Sequence, residues 1–185
     1  MAAVTGGAGA ADLRSRIRAI PDYPEPGIVF RDLTPLFLDP AALGGALDEL
    51  SAWALPREID VVVAAEARGF ILGGALAQRL GAGFVPARKP GKLPARTVSA
   101  EYALEYGIDA LEVHADAIGH GRRVLIHDDL LATGGTAAAV ARLVQGLGGT
   151  VAGYAFIVEL SFLNGRDRLA PAEVRSLVAY EREGE

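Results

Sequence analysis

Cysteine is absent from this chain of 185 residues, which excludes disulfide bonds, a thiolate nucleophile and cysteine-ligated metal sites. Basic residues are also few: 18 lysines and arginines stand against 23 acidic residues, for a formal net charge of −5. General binding to nucleic acids or to membrane surfaces favours broad positive patches. No apolar run is long enough to cross a bilayer, and the N-terminus lacks the pattern of a signal peptide. We therefore expect a cytoplasmic protein that binds neither nucleic acid nor membranes.

Strand patterns and helix patterns alternate along most of the chain. The predicted strands are Ile59–Ala65, Phe84–Ala87, Arg122–Asp129, Val151–Leu160 and Val174–Tyr180, and the predicted helices are Asp12–Ala19, Pro40–Ala54, Gly69–Leu80 and Gly134–Leu147. Such alternation predicts an α/β fold, a mostly parallel twisted sheet with helices on both faces. We expect a disordered tail over residues 1–11 and a single domain over residues 12–185. Residues 88–107, rich in proline, glycine and charge, are predicted to form a long loop, with weak strand character near its end, that acts as a lid.

The strongest functional signal is the segment Val124–Thr136, VLIHDDLLATGGT. An apolar strand ends in Asp128 and Asp129, and a glycine-rich loop then leads into a helix. In open parallel sheets ligands bind beyond the carboxyl ends of the strands. The glycines let backbone N–H groups converge, and the helix N-terminus favours an anion. A phosphate monoester therefore fits a loop that consists of Ala132, Thr133, Gly134, Gly135 and Thr136.

The acid pair suits a different part of the same ligand. Ionised carboxylates only accept hydrogen bonds, and a ribose diol supplies the donors. We interpret the whole segment as a site for ribose 5-phosphate. The alternative is that Asp128 and Asp129 only end a strand in solvent and that the loop is an ordinary turn. The segment matches neither GxxxxGK[ST] nor GxGxxG, which disfavours nucleoside-triphosphate and dinucleotide folds.

A second candidate phosphate site is Glu66-Ala67-Arg68-Gly69-Phe70. It follows the first buried strand and opens a helix, in the same position as the first site. Arg68 can grip phosphate oxygens with two hydrogen bonds. The alternative is a surface arginine on a turn.

These segments together resemble the type I phosphoribosyltransferases, and the ending LLATGGT is similar to their adenine-specific branch. The resemblance extends from about Ile17 to Tyr180. It implies that the TGGT loop holds the 5-phosphate of phosphoribosyl pyrophosphate (PRPP), that the acid pair holds the ribose diol, and that Glu66, Ala67 and Arg68 form the pyrophosphate loop, with a cis bond between Glu66 and Ala67. His127 departs from the family, where an apolar residue is usual. We expect it to point away from Asp128 and to be packed or locally bonded.

The same resemblance covers the lid, because RKPGKLP and YALEYG are similar to the family's flexible loop. It implies that Lys89 and Lys92 serve the leaving phosphates, that Arg88 reaches a neighbouring subunit's site, and that Tyr106 binds a phosphate or closes the lid. Glu105 is the implied acid/base group near N7 of the purine. The alternative is an exposed glutamate on a mobile loop.

The segment Tyr23–Pro35, YPEPGIVFRDLTP, is similar to the hood of the adenine enzymes, which we place at about residues 20–36. Phe30 offers a stacking face, Val29 and Arg31 offer main-chain groups to the base, and Leu160 is the expected opposite wall. For Phe30, a place in the core of the hood is the alternative. The expected ligands are adenine, PRPP, AMP and pyrophosphate, with Mg²⁺ carried by PRPP and no metal ligands from the protein, in a homodimer. Transfer to another purine base, and PRPP sensing without catalysis, remain alternative functions.

Overall fold

A computed structural model describes residues 10–104 and 107–185. Its strands are β1 (Arg18–Pro21), β2 (Val29–Asp32), β3 (Val61–Ala65), β4 (Gly83–Ala87), β5 (Thr97–Leu104), β6 (Gly107–His114), β7 (Arg123–Leu131), β8 (Thr150–Leu160) and β9 (Val174–Tyr180). Its α-helices are α1 (Ala10–Ser15), α2 (Thr34–Leu38), α3 (Pro40–Ala54), α4 (Gly69–Leu80) and α5 (Gly135–Gly146). None of the helices among the described residues is long and apolar enough to span a membrane.

Five strands form one parallel sheet in the order β4-β3-β7-β8-β9. The chain adds β4 on one side of β3 and then returns to add β7 on the other side. Adjacent loops leave the sheet in opposite directions at such a reversal, which opens a crevice at the carboxyl ends of the strands. Here the reversal lies between β3 and β7, so this is where the fold itself predicts a ligand.

Helices cover both faces of the sheet, as predicted. One apolar cluster joins α3 and α4 to the sheet, and the other joins α5 and β6 to the opposite face. All five residues of β3 are buried, because an interior strand of a parallel sheet is covered on both sides. The start of α3 follows from its sequence: Asp39 Oδ1 accepts hydrogen bonds from the backbone N–H groups of Ala41 and Ala42, at 2.9 and 3.2 Å, and Pro40 occupies the first turn.

The N-terminal part differs from its prediction. The helix predicted over Asp12–Ala19 begins at Ala10 and ends at Ser15, and β1 follows as an antiparallel partner of β2. Ala10 and Ala11 thus belong to a helix rather than to the predicted tail, whose residues 1–9 lie outside the described residues. The reason is tertiary: Arg18, in β1, pairs with Asp32, in β2, through Nε at 2.9 Å, a contact that helix periodicity does not reveal.

The last strand holds this N-terminal part. The ring of Tyr180 contacts two guanidinium groups, with Arg14 Cζ 4.5 Å and Arg31 Cζ 3.8 Å from its centroid. Arg31 also donates to the backbone carbonyls of Glu183 and Glu185, both at 3.3 Å. The two-stranded β1–β2 sheet is therefore fixed to the C-terminus of the chain.

The segment predicted as a long loop is only partly a loop. Residues 88–96 connect β4 to β5, and β5 pairs with β6 as an antiparallel hairpin from Thr97–His114 to Leu104–Gly107. Glu112 is buried and holds the connecting loop: its carboxylate accepts from the backbone N–H of Gly91 at 3.1 Å and from Thr97 Oγ1 at 3.0 Å. The strand β6 was not predicted, although Leu111 and Val113 follow the two-residue period of a half-buried strand.

Candidate active site

The two candidate phosphate segments meet at the carboxyl edge of the sheet, on the adjacent strands β3 and β7. A cavity of about 220 Å³ lies between them. Its walls are formed by Arg68, Asp128–Ala137 and Phe156. The structure therefore brings together the acid pair, the glycine-rich loop and Arg68. The cavity also has three apolar wall residues that were not predicted as site residues: Leu130, Leu131 and Phe156.

The glycine-rich loop is shaped by backbone contacts rather than by side chains. Gly134 has φ of 78° and precedes α5 as its N-terminal cap residue. A Cβ atom at Gly134 would lie 2.5 Å from the carbonyl oxygen of Gly165, so only glycine fits this position. The first turn of α5 then presents N–H groups that have no partner within the helix, and these groups favour a bound anion.

The acid pair is largely withdrawn from water, with Asp129 buried and Asp128 partly exposed. The Asp129 side chain is 5% exposed, and the backbone N–H of Asp129 donates to Asp128 Oδ1 at 2.9 Å. Burial raises the pKa of Asp128 well above its ordinary value, and the neighbouring charge of Asp129 raises it further. Burial also raises the pKa of Asp129, against the effect of the Arg68 cation. Gly69 allows this arrangement, because a Cβ atom there would lie 2.9 Å from Asp128 Oδ1.

His127 points away from the cavity, as predicted. Its side chain is fully buried, and Nδ1 lies 2.8 Å from the carbonyl oxygen of Ala155. A carbonyl only accepts, so Nδ1 carries the hydrogen. Nε2 is buried without a hydrogen-bond partner in the described part of the chain. Burial lowers the pKa of His127 to about 4, so the ring is neutral at physiological pH, and the interpretation of a locally bonded histidine is confirmed.

Arg68 connects three parts of the site. Its Nε lies 2.9 Å from Asp129 Oδ2, and its Cζ lies 5.2 Å from the centroid of the Phe30 ring. The peptide bond between Glu66 and Ala67 is cis, as the resemblance implied. Arg68 itself is half-buried, so its guanidinium group can contact both the acid pair and a ligand in the cavity.

The cations of the predicted lid are already paired within the chain. Glu66, whose side chain is 8% exposed, accepts from Arg88 Nε at 3.0 Å and from Lys92 Nζ at 3.1 Å. Burial opposes ionisation of Glu66, but these hydrogen bonds outweigh it and hold its pKa below the ordinary value. Lys89 Nζ lies 2.9 Å from Asp109 Oδ2, and this hydrogen bond lowers the pKa of Asp109. Glu66 therefore holds Arg88 and Lys92 at the loop that follows β3, whereas Lys89 pairs with the β5–β6 hairpin.

Tyr102 and Asp109 are two site-adjacent residues to which sequence reasoning assigned no role. The Tyr102 hydroxyl donates to Asp109 Oδ2 at 3.2 Å and is hydrogen bonded to the Thr136 hydroxyl. The hairpin is thus tied to the glycine-rich loop. Tyr102 belongs to the segment YALEYG, so its sequence neighbourhood was a usable signal, whereas nothing in the sequence paired Asp109 with Lys89.

The hood residues occupy distinct positions. Phe30 contacts Tyr23 edge to face, with centroids 5.2 Å apart, and lies near Arg68. Val29 pairs with Pro21 in the β1–β2 register. Arg31 is 4% exposed and turned toward Tyr180, which leaves only its main chain for a base. Leu160 is half-buried at the end of β8. The predicted acid/base group Glu105 and Tyr106 lie outside the described residues.

Comparison with known proteins agrees with this site. The sequence model of the family described as "Phosphoribosyl transferase domain" matches residues 40–179. The adenine phosphoribosyltransferase of Thermotoga neapolitana is 57% identical over 169 residues, which cover 91% of this chain and 99% of the relative.

Solved structures show the same relationship. The crystal structure of adenine phosphoribosyltransferase from Thermoanaerobacter pseudethanolicus is 50% identical with a TM-score of 0.90, covering 92% of this chain and 99% of that chain. The Saccharomyces cerevisiae enzyme, solved with adenine and an imino-altritol bisphosphate, is 40% identical with a TM-score of 0.87, covering 91% and 98%. The chain therefore belongs to the phosphoribosyltransferase family, among relatives that are adenine phosphoribosyltransferases.

Proposed function

We propose that this chain transfers the 5-phosphoribosyl group of PRPP to N9 of adenine, giving AMP and pyrophosphate, a reaction of purine salvage. The observation that carries the proposal is the cavity that places a glycine-rich loop, an acid pair and Arg68 at the reversal point of the sheet. The identity to adenine phosphoribosyltransferases over more than nine-tenths of the chain supports adenine as the base.

In this reaction the bond between adenine N9 and C1 of the ribose forms while the bond from C1 to pyrophosphate breaks, with inversion at C1. Adenine gives up one proton. The transition state resembles an oxocarbenium ion that water would trap, so closure of the lid over the site prevents hydrolysis. The protein contributes orientation and charge stabilisation, and no covalent enzyme intermediate is required.

Each part of the site has a role in this proposal. Residues 132–136 hold the 5-phosphate, and Asp128 and Asp129 accept from the ribose diol. Arg68, Lys89 and Lys92 stabilise the departing pyrophosphate, and Arg88 contributes from a neighbouring subunit. Glu105 bonds N7 of the purine as charge develops in the ring, which requires a raised pKa in the closed site. Tyr106 closes the lid or binds a phosphate, while Phe30, Leu160 and the main chain of Val29 and Arg31 hold the base.

Magnesium enters this proposal with PRPP. No group of three or more histidine, aspartate or glutamate side chains in residues 10–104 and 107–185 is placed to hold a metal ion. In proteins Mg²⁺ commonly keeps several waters and is bound through substrate phosphates. The ion would neutralise the charge of the pyrophosphate.

We also propose a cytoplasmic homodimer. Ile71 and Phe84 are apolar side chains that are 48% and 38% exposed, on α4 and on the edge strand β4. Exposed apolar side chains next to a sheet edge suit contact with a second copy.

The test is AMP formation from PRPP and Mg²⁺ with a panel of purine bases, with Glu105→Ala alongside. We expect turnover of adenine alone and a lower rate in the variant. Turnover of a 6-oxopurine instead would keep the PRPP site and refute the assignment of the base. Binding of PRPP without conversion of any base would refute the enzymatic function in favour of a sensor.

A further inference from the structure

The glycine-rich loop rests against a turn from a distant part of the chain, residues 164–166. The contact is backbone on backbone. A Cβ atom at Gly165 would overlap the carbonyl oxygen of Ala132 and would lie 3.0 Å from the backbone nitrogen of Gly134. Gly165 is buried. The position of this turn therefore determines where the loop can lie.

Arg166 anchors the turn to the sheet through a planar, two-bond contact. Its Nε donates to Glu159 Oε1 at 2.6 Å and its Nη2 to Glu159 Oε2 at 2.7 Å. Its Nη1 donates to the carbonyl oxygen of Val174 at 2.9 Å. The Glu159 side chain is 6% exposed, so the acceptor is held inside the protein. Two parallel bonds fix orientation as well as distance.

Glu159 lies beside the residue that leads into the loop. In the parallel register of β7 and β8 it is opposite Leu131, and Ala132 is the next residue along the chain. Glu159 therefore contacts two elements that border the loop. It lies opposite Leu131 at the end of β7, and it binds Arg166 in the turn that packs on Gly134. Both elements restrict where the loop can lie.

We propose that Arg166 and Glu159 are positioning residues that set the geometry of the 5-phosphate loop. Neither residue is among those that line the cavity in the described part of the chain, so the pair acts through Gly165 and Leu131 rather than on the ligand. The inference rests on the proposed function, because it takes the loop's ligand to be the 5-phosphate. It predicts that loss of the pair weakens binding of the 5-phosphate by the glycine-rich loop and leaves binding of the base unchanged.

The test compares AMP with adenosine, two competitive inhibitors that differ only in the 5-phosphate, in the full-length protein. One variant is Glu159→Leu/Arg166→Met, which removes the buried carboxylate together with its half-exposed cation and so leaves no unpaired buried charge. A second, Arg166→Lys, keeps the charge but loses the planar fork. The matched control is Arg175→Gln, which breaks an arginine–glutamate pair with Glu49, between β9 and α3.

We expect the preference for AMP over adenosine to fall about tenfold in the double variant, which corresponds to the loss of about 1.4 kcal/mol of hydrogen bonding to the phosphate. In the double variant the Ki of adenosine and kcat at saturating PRPP should stay unchanged, while KM for PRPP rises. The control variant Arg175→Gln should keep the wild-type preference for AMP over adenosine. Arg166→Lys should show the same change in smaller degree.

An unchanged preference in both variants would overturn the proposal. So would an equal loss of both inhibitors with a lower melting temperature, which indicates a merely structural pair. If the wild type does not prefer AMP, the proposed function itself is refuted.

Discussion

Arg68 and Asp129 form an ion pair across the floor of the cavity, with Nε and Oδ2 2.9 Å apart. Arg68 lies in the loop that follows β3 and Asp129 lies near the end of β7, so the pair joins that loop to the acid pair. Asp129 is almost fully buried, whereas Arg68 is 42% exposed. The arginine is therefore the partner that can turn to an incoming phosphate.

Arg68→Gln removes the cation that we propose to contact the pyrophosphate. Hydrogen bonds to charged groups contribute about 1.5–3 kcal/mol, so we expect KM for PRPP to rise roughly 10- to 100-fold. Steady-state kinetics with PRPP as the varied substrate measure this change. The control is Arg79→Gln, in the last turn of α4, the helix that follows Arg68. An unchanged KM in Arg68→Gln would contradict a role for Arg68 in PRPP binding.

Asp128→Asn should raise stability and impair function. The folded-state pKa of Asp128 lies above its unfolded value of 3.8, first because of burial and then because of Asp129. The ionised carboxylate thus costs stability that grows as pH rises above the unfolded pKa. At pH 8 we expect the variant to have a higher Tm than wild type, by about 2–4 °C for each 1 kcal/mol recovered. At pH 4 we expect its Tm to equal that of wild type. PRPP binding should be weaker.

Calorimetry at both pH values measures the effect of Asp128→Asn, with the exposed Asp116→Asn as control. A Tm at pH 8 equal to that of wild type would show that the acid pair carries no burial cost.

His127 should make the protein sensitive to acid. Its pKa is about 4 in the folded state and 6.5 in the unfolded state, so the unfolded chain takes up the proton first. Stability is therefore lost as pH falls from 6.5 and the loss is complete below 4. At 1.36 kcal/mol for each pKa unit, the full difference corresponds to roughly 3 kcal/mol. Compared with His127→Leu, wild type should lose most of this additional stability between pH 7 and pH 4 in urea denaturation. Parallel pH profiles would refute a buried neutral imidazole.

Glu66→Gln should release the loop that carries Arg88 and Lys92. Both cations are one-third to one-half exposed, so each contact is worth only about 0.5–1 kcal/mol after solvent screening. We expect trypsin to cleave after Lys92 about two- to fivefold faster than in wild type, as the open population rises by that factor. Mass spectrometry identifies the cleavage site. Equal rates would mean that Glu66 does not hold the loop.

The glycine-rich loop and the acid pair could be predicted because both lie in one contiguous segment of the sequence. Burial, strand direction and loop chemistry all follow from thirteen residues, and the helix after the loop is amphipathic. Arg68 could be predicted for a similar reason, since it follows a run of buried β-branched residues.

The contacts between segments could not be predicted in this way. β1 depends on its pairing with β2 and on the pair of Arg18 with Asp32, and neither leaves a periodic signal. The position of Glu159 opposite Leu131 depends on the register of β7 and β8, which includes an irregularity between Val124 and Leu125. Sequence spacing alone does not carry that register.

The contact of Tyr180 with both Arg14 and Arg31 has a consequence for synthesis. A chain emerges from the ribosome N-terminus first, so the segments that begin the protein are made long before the residue that anchors them. The β1–β2 sheet therefore gains its attachment to Tyr180 only after residues 174–185 have left the ribosome.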